Sequence, residues 1–206
     1  MSPEYEKVID PLFTNLLAII QRADRLSIRD LTVELREEFD RANSIMETDR
    51  EWKYALYAMV AWVDSEMIIS HNRWKDETLE AYYFKSGNAY TEFFLRAEKA
   101  YEKRYFNAFE VFYICFMFGY HGVYQTGDKT TVPKSLPVSD AEWQKKAAGR
   151  IARIRKTEKE ESWGDLRDEE WESRPLDGSV NLINSLIFFA IVAMVTAMLV
   201  LVRLFG

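Results

Sequence analysis

Apolar residues recur every three or four positions along most of this chain, and no stretch alternates apolar and polar residues long enough to suggest a strand, so the pattern predicts an all-α protein. Val8, Leu12, Leu16 and Ile19, joined by Ile9, Phe13, Leu17 and Ile20, predict a first helix from about Pro3 to Arg25. Ser27 with Asp30 gives a capping start to a second, which turns Ile28, Leu31, Leu35, Phe39 and Ala42 inward. Its other face, with Glu34, Glu37, Glu38 and Arg41, stays in water. A third helix, about Asp49 to Ser70, places Trp52, Leu56, Met59, Val60 and Val63 on one broad face. It is the most apolar helix of the body and is expected at its centre.

Trp74 to Phe84 predicts a shorter helix, broken by Ser86-Gly87-Asn88, and Ala89 to Lys103 resumes with Phe93, Phe94, Ala97 and Tyr101 inward. Asn107 is placed to cap the next helix, whose positions Phe109 to Phe118 are nearly all apolar, with Gly119 as its stop. The stretch from Gln125 to Val138 holds Gly127, Pro133 and Pro137 and is read as an extended connection. Ser139 with Glu142 forms a capping box for a last helix that turns Trp143, Ala147, Ile151 and Ile154 inward and Lys145, Lys146, Arg150, Arg153 and Arg155 outward. A charged linker is read from about Glu158 to Gly178.

Leu186 to Val202 (LIFFAIVAMVTAMLVLV) is apolar apart from Thr196. At about 1.5 Å per residue, extension to Leu182 and Phe205 reaches the roughly 30 Å of a bilayer's hydrocarbon. The run therefore predicts one C-terminal transmembrane helix, and the chain divides into a cytoplasmic helical domain (1–160), a linker (161–179) and an anchor (180–206). The acidic start, with Glu4, Glu6 and Asp10, does not resemble a secretory signal, so the body is expected to stay in the cytoplasm. Ala193 and Ala197 are spaced as a small-x-x-x-small pair with Thr196 beside them, a pattern suited to self-association of the anchor.

Composition narrows the function classes. The net charge of −6 argues against a nucleic-acid partner, and the single Cys115, set in an apolar run, fits a reducing compartment. Aromatic residues make up 15%, many in pairs, which suggests heavily packed helices or an aromatic surface for a partner. Two histidines, His71 and His121, cannot supply a two-histidine metal helix, and the chain carries no nucleophile elbow, phosphate loop or cysteine pair. No catalytic residue, metal site or cofactor is therefore expected. The other reading is a tail-anchored enzyme or adaptor acting at the membrane surface, for which Asp64, Glu66, His71 and His121 are the only polar seed.

The stretch ALYAMVAWVDSEM (55–67), then Trp74 and Leu79, Gly87 with Glu92-Phe93-Phe94, and FEVFYICFMFGYHGVY (109–124), together resemble the TssL/DotU family. The resemblance covers about seventy residues in order and is tightest from Glu110 to Tyr124. It implies two small packed helical bundles with a cleft between them, carried on a single C-terminal membrane helix. It also implies an inner-membrane scaffold subunit of a type VI secretion system, binding an IcmF/TssM-like membrane protein and a baseplate subunit such as TssK, and forming a homodimer. Asp64, Glu66, Trp74 and Tyr124 are where partner contacts are expected. Two departures matter: the family's adjacent acidic pair is here split as Asp64-Ser65-Glu66, and Val123 stands where a basic residue is usual.

Overall fold

The computed structural model describes residues 1–165 apart from 126, 128 and 129. Seven α-helices follow one another: α1 (Pro3–Gln21), α2 (Ile28–Met46), α3 (Trp52–Ser70), α4 (Leu79–Phe84), α5 (Ala89–Glu102), α6 (Phe106–Met117) and α7 (Asp140–Asp165). Among the described residues there is no strand, and the all-α expectation holds. No helix among them is long and apolar enough to cross a membrane. The anchor read at Leu186 to Val202, with Ala193, Thr196 and Ala197, lies outside the described residues.

Local chemistry sets most helix starts. The Ser2 hydroxyl accepts the Tyr5 N–H and Pro3 occupies the first turn of α1, where its missing N–H costs nothing. Ser27 accepts the Asp30 N–H and so caps α2. Ser139 accepts the Glu142 N–H, while the Glu142 carboxylate reaches back to the Val138 N–H, one residue beyond the usual reciprocal partner. Helix α1 ends at Gln21, short of Arg25, because Ala23–Arg25 tightens into a 3-10 turn.

Helix α3 is the central element. Every residue from Ala55 to Asp64 is buried, since the helix is covered by α1, α4, α5 and α6. One continuous apolar core runs through residues 1–159, whose contacts form a single compact unit. At its α5–α6 end, Phe94 is fully buried with ring centroids 4.7 Å from Tyr124 and 5.0 Å from Trp143, which ties α7 to the body. Lys146 and Arg150 on α7 both reach Glu98 of α5 at 2.9 Å, and Arg155 reaches Glu110 of α6 at 3.0 Å.

Three expectations are corrected. Trp74 to Phe84 is not one helix: Asn72–Asp76 is a 3-10 turn, and α4 begins afresh at Leu79 with Thr78 accepting the Ala81 N–H. Asn107 does not cap α6, which starts at Phe106; its side-chain oxygen instead accepts the Ser2 N–H at 2.7 Å. Helix α7 continues to Asp165, into residues read as linker. The stop at Gly119 holds, with φ of 101° there, and residues 125–138 contain no helix where described.

Candidate functional site

The C-terminal half of α3 forms one wall of a groove of about 440 Å³. Ala61, Asp64, Ser65, Ile68 and Ile69 line that wall, and Thr78, Glu80, Ala89, Tyr90, Tyr120 and Gly122 line the others. Ile69 and Tyr90 stand exposed at its rim. Gly122 is held at φ of 43°, and a Cβ there would come within 2.9 Å of the Tyr90 carbonyl oxygen and of the Tyr120 ring, so only glycine lets the chain approach α5 this closely.

Two buried carboxylates build the groove. Asp64 accepts three hydrogen bonds: the Trp74 indole N–H at 2.8 Å and the Leu79 N–H at 2.9 Å on one oxygen, and the Glu80 N–H at 2.8 Å on the other. The last two are orphan donors at the start of α4, so a carboxylate from α3 caps a helix that begins fifteen residues later. Glu80 repeats the device one helix on. It accepts the Tyr57 hydroxyl at 2.9 Å, the Asn88 N–H at 3.2 Å and the Ala89 N–H at 3.0 Å, the last two at the start of α5. Arg96 lies 3.9 Å from the centre of the Tyr57 ring, behind this network. The relay α3 to α4 to α5 thus fixes the groove walls through side-chain oxygens.

Burial pushes the Asp64 carboxyl up to about 6, against the pull of its three donors. A folded-state value above the unfolded value of about 4 means that the folded protein keeps a proton that the unfolded chain gives up between those pH values. Its stabilisation is therefore complete below about pH 4 and is lost as pH rises through 6, by about 2–3 kcal/mol. Urea unfolding from pH 4 to 7 is expected to show this decline in the wild type and a flatter profile in Asp64→Asn. A wild-type profile no steeper than the variant's would mean that the donors outweigh burial.

The other sequence candidates are placed as follows. Trp74 is fully buried and serves Asp64. Tyr124 is nearly buried, and its hydroxyl donates to the Pro137 carbonyl at 2.9 Å, pinning the connection before α7. Glu66, half-buried, is turned about 200° around α3 from Asp64, and burial raises its carboxyl above the usual range. Val123 is fully buried, in the core. Of the four polar residues that could seed catalysis, only Asp64 lines the groove. His121 is exposed, 3.5 Å from Asp140, and His71 closes the end of α3. Among the described residues no cluster of histidine, cysteine and carboxylate side chains could hold a metal ion. Sequence reasoning missed Glu80 altogether. Its place in a first helical turn is ordinary for a solvated glutamate, and its donors come from Tyr57 and from the next helix.

A family model described as type VI secretion system protein DotU matches residues 5–205. No curated protein and no solved structure matches the chain.

Proposed function

The chain belongs to the DotU family of type VI secretion system proteins, and from that premise we propose that it is a scaffold subunit of the system's inner-membrane complex, without catalytic turnover. In this reading residues 1–160 are a cytoplasmic domain of two small packed bundles with a cleft between them, 161–179 a linker, and 180–206 a transmembrane anchor. The groove is the docking face for a baseplate subunit such as TssK. An IcmF/TssM-like membrane protein is the partner in the membrane complex, and Ala193, Thr196 and Ala197 contribute to a homodimer.

The observation that carries the docking role is the use made of the acids. Asp64 and Glu80 spend their hydrogen-bonding capacity on helix starts, which leaves a rigid, partly apolar trough with Ile69 and Tyr90 at its rim. Exposed apolar side chains beside a fixed concavity suit protein recognition. Asp64 and Trp74 then act on a partner through the shape they impose, Tyr124 by holding the adjoining loop, and Glu66 by its charge.

Co-purification of the baseplate subunit with the full-length protein tests this. Ile69→Asp is expected to lower recovery at least tenfold and Glu66→Lys severalfold, with thermal midpoints close to wild type because both side chains are partly or largely exposed. Undiminished recovery by Ile69→Asp would remove the groove from the interface.

A further inference from the structure

We propose that a second trough, between the N-terminal half of α3 and the middle of α5, binds an acidic peptide segment of a partner protein. The inference stands apart from the docking role above, since the two concavities share no lining residue. The trough measures about 420 Å³ and is lined by Lys53 and Tyr54 of α3 and by Glu92, Leu95, Arg96 and Lys99 of α5. Lys103 extends the same side, with its ammonium 5.8 Å from the Tyr54 ring and 5.6 Å from the Tyr105 ring.

Four cations thus meet one carboxylate, and that carboxylate, Glu92, is already engaged by Arg96 at 3.4 Å. In a chain with 33 acidic and 27 basic residues this is a local inversion of charge. Lys53, Lys99 and Lys103 are exposed, and none has a carboxylate within ion-pair distance among the described residues. Arg96 and Lys99 of α5 and Lys103 at its C-cap follow one another at i, i+3 and i+7, a stripe about 10 Å long. Such spacing matches carboxylates presented along a peptide, whereas a phosphate needs donors converging on one point. The concavity, with Tyr54 in its lining, admits a protruding chain, and a flat lipid surface could not fill it. Glu92 at one end interrupts what a continuous polyanion would require.

The test uses the full-length protein in non-ionic detergent and a fluorescein-labelled helical peptide with glutamates at i, i+4 and i+7, read by fluorescence anisotropy. Binding is expected at low salt, weaker at 300 mM salt, and reduced at least tenfold in the Lys53→Glu, Lys99→Glu, Lys103→Glu triple variant. Lys145→Glu, an exposed cation on α7, should bind as wild type does. Absence of binding, equal binding by the triple variant, or displacement of the peptide by inorganic phosphate or by anionic phosphatidylglycerol vesicles at matched charge would each overturn the proposal. Circular dichroism of the triple variant shows whether a loss belongs to the surface or to the fold.

Discussion

Replacing Asp64 with alanine is expected to destabilise the helical body by about 3–5 kcal/mol, measured by denaturant unfolding at pH 7. Three donors lose their acceptor together: the Trp74 indole and the Leu79 and Glu80 amides, all tied to a side chain that is only 4% exposed. A buried donor left without a partner costs about 1–3 kcal/mol. Water entering from the groove, which Asp64 lines, offsets part of that loss. Asp64→Asn keeps the volume and one acceptor but turns an amide N–H toward donors, so it should recover less than half of the difference. Trp74→Phe removes one donor and keeps most of the packing, for about 1–2 kcal/mol. The Asp64–Trp74 double-mutant cycle should show coupling of at least 1 kcal/mol. Additive effects would mean that the indole is satisfied some other way and that the cap is the whole of Asp64's role. Because α4 is placed by this carboxylate, Asp64→Ala should also blunt baseplate recovery, which Glu80→Gln should do more weakly.

Phe94→Ala should cost about 3–5 kcal/mol, at the upper end of large-to-small core changes. Its ring has no exposed surface and sits among Phe93 at 5.1 Å, Tyr124 at 4.7 Å and Trp143 at 5.0 Å, with Phe116 and Tyr120 slightly farther. These residues come from α5, α6, the 120–124 turn and α7, so the void opens where four segments meet. Collapse around it is hard, since stacked aromatic rings move less freely than aliphatic chains. The loss should be local first. Amide exchange at residues 140–157 is expected to rise before that of α3, because Trp143 anchors α7 through this cluster while residues 55–64 of α3 are buried among other helices. Phe94→Leu should restore most of the stability. Uniform acceleration across the body would show that α7 is not a separable unit.

What the sequence settled by itself is what neighbouring residues can settle. Ser27 with Asp30 and Ser139 with Glu142 carry their capping partners three positions on, and the helices begin there. The apolar character of the third helix placed it at the centre of the body, and α3 is buried at every position from Ala55 to Asp64. Gly119 follows an apolar run and takes the positive φ that ends it. The order of motifs from Ala55 to Tyr124 was enough to identify the family. The groove was not legible, because its makers act over distance. Asp64 finds its donors fifteen and sixteen residues downstream, and Glu80 draws one from Tyr57, twenty-three residues upstream. For the same reason Trp74 to Phe84 read as a single helix: its break pays off only when a carboxylate from α3 arrives to receive the freed amides. Asn107, a good cap by type, is claimed by the Ser2 amide 105 residues upstream. Periodicity reports which face of a helix avoids water. Which charge may follow that face inside depends on the donors that the tertiary structure brings to meet it.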